Sequence, residues 1–150
     1  MMPTLRSLGP LDLDLAAAIH AQSFAALGER GWTRQDVAEL VTAPGVAGWL
    51  IDDVGLALCR RAADEAELLT IAVLPGHRRA GHARSLLRAA IAWARTAGAG
   101  ALFLEVGADN PAARALYQSE GFATVGGRKA YYRRGDAPAA DAVVMRLALG

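Results

Sequence analysis

A short basic stretch, residues 78–84, has the residue types of a phosphate-binding loop. The apolar run before it, residues 68–74, stops at Pro75-Gly76, and after it the apolar residues recur at helical spacing. The pattern therefore predicts a strand, a basic glycine-containing turn and a helix. Backbone N–H groups of such a turn, together with the unpaired amides and positive end of the helix, suit a phosphate group. The first hypothesis is a ligand that carries phosphate.

Two familiar phosphate sites do not fit this stretch. A nucleoside-triphosphate loop needs Gly-x-x-x-x-Gly-Lys-(Ser/Thr), because the lysine reaches the terminal phosphates and the hydroxyl holds magnesium. Gly76 and Gly81 have this separation, but His82 and Ala83 follow in place of the lysine and the hydroxyl. The glycine triplet of a dinucleotide-binding fold is also missing.

The elements that must position this loop can be predicted from apolar periodicity and turn residues. We expect a strand at residues 4–8, a helix over residues 11–27 closed by Gly28, and a helix N-capped by Thr33. Two apolar runs, 46–51 and 54–60, predict a hairpin, and a central strand over residues 67–74 leads into the loop. The helix after the loop joins this strand to another at residues 101–106, so these two strands are expected to be parallel.

The last third of the chain is predicted to contain one helix and a closing hairpin. Asn110 and Pro111 have the positions of an N-cap and a first helical residue. The first strand of the hairpin is expected at residues 122–133 with an interruption at Gly126-Gly127, and the last strand at residues 142–147.

Composition restricts the function classes. With 150 residues the chain is expected to form a single domain over its whole length, 1–150. Its net charge of +1 does not favour nucleic-acid binding, and no apolar run is long enough to suggest a membrane span or signal peptide. We therefore expect a soluble cytoplasmic protein. The single cysteine, Cys59, lies in an apolar run and is expected to be a buried strand residue, not a nucleophile.

The loop and the order of elements carry a family resemblance. Arg78-Arg79-Ala80-Gly81-His82-Ala83 fits (Gln/Arg)-x-x-Gly-x-(Gly/Ala) and resembles the acetyl-CoA pyrophosphate loop of the GCN5-related N-acetyltransferases (GNAT). Within that superfamily four segments resemble the ribosomal-protein-alanine N-acetyltransferases, which acetylate the N-terminal alanine of ribosomal protein S18. The segments are 71–75, 104–106, 110–122 and 128–132.

The resemblance implies a fold and a donor site. The fold would be α/β, with a mixed central sheet of about six to seven strands flanked by about four helices. The donor would be acetyl-CoA, with its pantetheine arm alongside the central strand like an added strand and its pyrophosphate on the loop. The residues implied to bind acetyl-CoA are Ile71, Ala72, Val73, Arg78, Arg79, Ala80, Gly81, His82, Ala83, Arg84 and Asn110.

The resemblance also implies which residues perform the chemistry. Glu105 would be the general base for the acceptor amine, directly or through a water, and Tyr117 would be the acid for the departing thiolate. The backbone amide of Val73 would polarise the thioester carbonyl. The structural alternatives are that Glu105 only pairs with an arginine such as Arg114, and that Tyr117 only packs on the sheet.

The acceptor site is less clearly marked. Trp32 and Tyr131 are candidates to line it, although the preferred interpretation of Trp32 is a packing residue next to the helix start. Tyr132 is the alternative to Tyr131, because successive strand residues point to opposite faces and only one of the two can face the acceptor. The basic residues of the closing hairpin either form a solvated face or orient a peptide. The histidines have no metal-ligand spacing, so no metal site is expected.

These patterns lead to one preferred function and two alternatives. The preferred function is acetyl-CoA-dependent acetylation of a protein N-terminus, with ribosomal protein S18 as the partner. The first alternative is acetylation of a small amine or a lysine side chain. The second, from another class, is a non-catalytic acyl-CoA sensor, although a sensor would need neither Glu105 nor Tyr117.

Overall fold

A computed structural model describes residues 3–25 and 29–150 of the chain, and within these ranges it contains seven strands and four α-helices. The strands are β1 (Leu5–Ser7), β2 (Val46–Ile51), β3 (Gly55–Ala62), β4 (Glu65–Val73), β5 (Ala101–Gly107), β6 (Ala123–Arg134) and β7 (Ala137–Ala148). The helices are α1 (Leu13–Ala25), α2 (Arg34–Thr42), α3 (His82–Thr96) and α4 (Pro111–Ser119). None of these helices is both long and apolar enough to span a bilayer.

All seven strands form one mixed sheet in the order β1-β2-β3-β4-β5-β7-β6. Strands β1 to β4 are successively antiparallel, β4 and β5 are parallel, and β7 is antiparallel to both β5 and β6. The parallel pair is connected through α3, as the sequence predicted, because a helix must return the chain to the same end of the sheet. The predicted α/β fold is confirmed.

Local residue chemistry accounts for several element boundaries. The Thr33 hydroxyl accepts a hydrogen bond from the Asp36 amide at 3.1 Å, and the Asp36 carboxylate accepts one from the Thr33 amide at 2.8 Å, so a capping box begins α2. In the β2–β3 connection, Asp52 and Asp53 have φ angles of 48° and 55°, which is the left-handed geometry of the central residues of a tight turn, and the Val54 amide donates to the Ile51 carbonyl at 3.0 Å.

The sheet is covered on its two faces by different helices. On one face α3 and α4 bury the larger apolar cluster, to which β5 contributes Leu102, Leu104 and Val106. On the other face α1 and α2 cover β2 to β4. Cys59 is fully buried in β3, and burial raises the pKa of its thiol to about 12, in agreement with a structural role.

Three elements differ from the sequence prediction. Helix α1 starts at Leu13, two residues later than predicted, because a short 3₁₀ turn, Pro10–Asp12, precedes it. The predicted end of this helix at Gly28 lies outside the described residues. Strand β6 is continuous, since Gly126-Gly127 remain paired with β7 and the irregularity takes the form of register shifts. Strand β7 begins at Ala137, five residues earlier than predicted.

Candidate active site

An opening lies between the two parallel strands at the centre of the sheet. Strands β4 and β5 are paired over three residues each, Glu65 to Glu67 with Ala101 to Phe103, and no further pair is formed in the described part of the chain. The strands therefore separate toward their carboxyl ends, where open α/β sheets bind ligands. The predicted pantetheine-binding residues, Ile71, Ala72 and Val73, lie on the β4 edge of this opening.

The main-chain N–H and C=O groups of Val73 are directed into the opening. The Leu74 amide donates to the Val54 carbonyl at 2.8 Å, so Leu74 is turned toward β3. Because the main-chain groups of successive strand residues point to opposite edges, the N–H and C=O of Val73 face away from β3. The Val73 carbonyl already accepts a hydrogen bond, which the Arg78 side chain donates from Nε at 3.2 Å. Among residues 3–25 and 29–150, no hydrogen-bond acceptor is found for the Val73 N–H, and its role in binding a ligand stays a prediction.

The predicted phosphate loop has free main-chain donors. Helix α3 is N-capped by Gly81, which has no side-chain cap to offer, and its first intrahelical bond runs from the Ser85 amide to the Gly81 carbonyl at 3.0 Å. The preceding amides, those of His82, Ala83 and Arg84, therefore have no partner within the helix. Gly81 has φ +83°, and an added Cβ there would meet no atom within 4 Å. Exposed amides at a helix N-terminus fit a pyrophosphate group.

Side chains of the same loop attach it to the rest of the protein. Besides Val73, the Arg78 guanidinium donates to the Ser23 carbonyl of α1 at 3.3 Å. One ring nitrogen of His82 lies 3.1 Å from the His77 carbonyl, and the other lies 3.5 Å from an Asp52 carboxylate oxygen. His82, which occupies a usually apolar position of the family pattern, thus joins the loop to the β2–β3 turn.

The remaining predicted donor-site residues lie in the loop, at the start of α3 and at the N-cap of α4. Arg84 donates to Glu120 at 2.8 Å, as Arg88 does at 2.6 Å, so the first turns of α3 are linked to the end of α4. Arg79 adopts φ +63° and is exposed, as is Ala80, while Ala83 packs against the core. The Asn110 side chain accepts a hydrogen bond from the Ala113 amide at 3.2 Å and caps α4.

Glu105 lies on the face of β5 that α3 and α4 do not cover. Its carboxylate Oε1 is 3.0 Å from Nη2 of Arg128 on β6, so its partner is not Arg114. The side chains of Glu105 and Arg128 are 22% and 57% exposed. A single contact between groups this exposed contributes roughly 0.2–1 kcal/mol to folding. The pair therefore adds little to the stability of the fold.

Tyr117 lies on α4 and is almost fully buried. Its ring packs edge-on against Phe122, with centroids 5.9 Å apart. Burial raises the pKa of its phenol well above the ordinary tyrosine value, and the nearby Tyr132 adds to this. The phenol therefore stays protonated, which suits a proton donor, but full transfer of its proton to a thiolate costs more than for an exposed tyrosine.

The two hairpin tyrosines near Glu105 differ in exposure, and a role for Tyr131 in the acceptor site stays a prediction. Tyr131 is 50% exposed, whereas burial raises the pKa of Tyr132 to about 12, and the negative charges of Glu105 and Glu29 add to that rise. The pairing of β6 with β7 shifts its register between Arg128 and Tyr132. The usual alternation of side chains along a strand therefore does not tell whether these two residues point to the same face of the sheet.

Trp32 packs against a buried histidine. Its ring is stacked on that of His20, with centroids 4.1 Å apart and an interplanar angle of 8°, and its amide donates to His20 Nδ1 at 3.0 Å. Phe24 stacks on the same histidine at 4.4 Å. These contacts hold the chain just before α2 against α1, and a role for Trp32 in the acceptor site stays a prediction.

One of the basic hairpin residues, Arg134, does not lie on a solvated face but is largely buried and joins three segments. The Arg134 side chain is 9% exposed and lies 3.2 Å from Glu29, before α2, and 2.8 Å from Asp109, before α4. Its guanidinium also lies 5.1 Å from the centre of the Tyr132 ring. Gly107 makes this possible, since a Cβ there would come within 2.7 Å of the guanidinium.

Comparison with known proteins agrees with this geometry. The acetyltransferase (GNAT) family profile matches residues 19–122. A Haemophilus ducreyi [ribosomal protein bS18]-alanine N-acetyltransferase is 38% identical over 96 residues, which are 64% of this chain and 66% of that protein. The Mycobacterium tuberculosis N-alpha-acetyltransferase RimI is 35% identical over 151 residues, 95% of this chain and 90% of the relative.

A solved structure gives the same result. The ribosomal-protein-S18-alanine N-acetyltransferase from Escherichia coli superposes with a TM-score of 0.89 at 32% identity, covering 99% of this chain and 95% of that one. The matches to the Haemophilus ducreyi protein span just under two thirds of its length, and those to the other two span nearly all of theirs. The resemblance inferred from the sequence is confirmed, and so is the expectation of an acyltransferase. The chain belongs to the acetyltransferase (GNAT) family, and within it is similar to the RimI proteins.

Proposed function

We propose that the protein transfers the acetyl group of acetyl-CoA to the N-terminal α-amine of a protein, the N-terminal alanine of ribosomal protein S18 being the first candidate. The observation that carries this proposal is the opening between β4 and β5, into which the Val73 N–H points and beside which Glu105 lies. The relatives that are named for alanine N-acetylation support the choice of acceptor.

The donor would be held mainly by main-chain groups. The free amides at the start of α3 would bind the pyrophosphate, and the open edge of β4 at Ile71 and Val73 would pair with the pantetheine arm. Asn110, whose carbonyl oxygen caps α4, keeps its amide N–H₂ for the arm. Bound acetyl-CoA supplies an acetyl thioester, and the Val73 N–H would donate to its carbonyl oxygen as negative charge develops there.

Glu105 and Tyr117 would move the protons. An α-amine has a pKa of about 7.7–8.0, so most of it is protonated at neutral pH and cannot attack a carbonyl. Glu105 would take that proton, directly or through a water, on the face of the sheet opposite α4. Tyr117 would hydrogen-bond the departing sulfur from the α4 side and protonate it as the C–S bond breaks.

A panel of acceptors tests the proposal. Purified protein and acetyl-CoA are mixed with a peptide that has the N-terminal sequence of ribosomal protein S18, with the same peptide N-terminally blocked, with spermidine, or with free alanine. We expect acetylation of the free peptide alone, located on its α-amine by tandem mass spectrometry. Transfer to the small amines alone, or to a lysine of the blocked peptide, would refute the N-terminal acceptor. Binding of acetyl-CoA without transfer to any acceptor would indicate a sensor.

A further inference from the structure

Arg128 reaches across one strand to contact Glu105. Glu105 lies opposite Val144 of β7, and Val144 in turn lies opposite Gly126 of β6, while Arg128 lies two residues further along β6, opposite Ala142. All of these positions share one face of the sheet, because directly paired residues point the same way. Gly126 has no side chain, so the Arg128 side chain can extend over Val144 to the carboxylate.

The charged and titratable groups around Glu105 leave Arg128 as its direct cationic partner. On β6 the neighbours are Arg128 and the half-buried Tyr132, and Tyr117 of α4 lies close to Tyr132. Beyond them Arg134 is already occupied by carboxylates of other segments. Within residues 3–25 and 29–150, Arg128 is the one cationic side chain within 4.0 Å of the Glu105 carboxylate.

We propose that Arg128 is a positioning residue for Glu105, which holds one oxygen of the carboxylate so that the other is presented to the acceptor amine. The inference rests on the proposed function. The contact involves Oε1, and no described residue hydrogen-bonds to Oε2, which is thus left to accept the amine proton. The Arg128 guanidinium is itself held by the Tyr131 ring, 5.1 Å from its centroid.

Three variants separate this role from a general effect of hairpin charge. Arg128→Gln removes the contact, and Arg128→Lys keeps the charge on a different geometry. Lys129→Gln is the matched control, because it removes the same charge at the next residue. The Lys129 side chain is 97% exposed and faces Asp141 at 3.8 Å, so it takes no part in the site.

The first readout is the conformation of the Glu105 side chain in crystal structures of the free protein and its variants. In the wild type the carboxylate should occupy one position, with Oε1 on Arg128. In Arg128→Gln it should occupy more than one rotamer, whereas Lys129→Gln should keep the wild-type position. Arg128→Lys should fall between the wild type and Arg128→Gln. This measurement needs neither acetyl-CoA nor an acceptor.

The second readout is kcat and KM, measured separately with whichever amine the wild type acetylates. Arg128→Gln should lower kcat by about two- to fivefold, the effect expected of one partly exposed ion pair, and leave the KM for acetyl-CoA within about twofold. Arg128→Lys should recover part of the lost kcat. A residue that only stabilised the hairpin would lower the unfolding temperature and leave kcat unchanged.

The outcomes distinguish this inference from the proposed function. If Arg128→Gln behaves like Lys129→Gln in both readouts, the positioning role is refuted while acetyl transfer stands. If the wild type acetylates no amine, the proposed function fails, and the crystal structures of the variants still decide whether Arg128 holds the Glu105 carboxylate in place. If Glu105→Gln keeps full turnover, Glu105 is not the base and the positioning role falls with it.

Discussion

His20 is expected to make the folding stability depend on pH. It is buried between the rings of Trp32 and Phe24, and its Nδ1 accepts the Trp32 amide hydrogen bond. Burial lowers the pKa of His20 from the usual 6.5 to about 4. Protonation at Nδ1 would also remove the acceptor of that hydrogen bond. The folded protein therefore holds this histidine neutral at a pH where the unfolded chain would protonate it.

The direction and magnitude of this pH effect follow from the pKa values of His20 in the unfolded chain and in the folded protein. Between pH 6.5 and pH 4 the unfolded chain binds more protons than the folded protein, so acid favours unfolding. The contribution of buried, neutral His20 to the free energy of unfolding is fully present above pH 6.5 and is lost progressively as the pH falls through this range. The difference in pKa corresponds to at most about 3 kcal/mol, which is a large part of the stability of a typical domain.

Urea unfolding followed by circular dichroism at a series of pH values tests this expectation. The comparison is with His20→Asn, whose side-chain oxygen can accept the Trp32 amide hydrogen bond but cannot be protonated. Carboxylates that titrate in the same range are common to both proteins, so their effect cancels in the difference. We expect the variant to lose less stability than the wild type between pH 6.5 and pH 4, by about 2–3 kcal/mol. Equal slopes in the two proteins would refute the reasoning.

Two substitutions test the proton transfers. Glu105→Gln should lower turnover by about 10²-fold or more and leave acetyl-CoA affinity, measured by calorimetry, unchanged, because the residue lies away from the donor loop. Unchanged turnover would remove Glu105 from the mechanism. Tyr117→Phe should lower turnover by roughly 10²-fold and leave the unfolding temperature within a few degrees, since only the hydroxyl is lost and no described residue hydrogen-bonds to it. A stability loss with turnover retained would assign Tyr117 to packing alone.

Features set by neighbouring residues could be predicted from the sequence. The apolar run before Pro75, the glycine-containing turn and the helical spacing after it define β4, the loop and α3 without knowledge of the rest of the fold. The N-caps at Thr33 and Asn110 are equally local, and both form the expected hydrogen bonds. The left-handed turn at Asp52-Asp53 likewise follows from residue type.

Features that depend on distant segments could not be predicted. Arg128 contacts Glu105 only because β7 lies between β5 and β6 in the sheet. This order differs from the order of the strands along the chain. The direction of Tyr132 depends on a break in strand alternation at Ala130, which has φ +48° and donates from its amide to Asp141 at 2.7 Å. Nothing in the residue types marks this irregularity.

The contacts of Arg134 could not be predicted for the same reason. Its carboxylate partners, Glu29 and Asp109, are 105 and 25 residues away along the chain, and each lies in a different connecting segment. The one local indication is Gly107, where a side chain would occupy the space of the ion pair. Glycine also occurs in strands at bulges, at bends and beside ligands, so Gly107 does not by itself reveal a buried arginine.

A crystal structure with acetyl-CoA tests the central claim most directly. The account predicts pyrophosphate oxygens on the backbone amides of residues 79–84 and the pantetheine arm between β4 and β5. It also predicts the thioester oxygen at about 2.9–3.0 Å from the Val73 nitrogen, the usual hydrogen-bond distance. Phosphates bound away from residues 79–84, or a thioester remote from Val73, would contradict it.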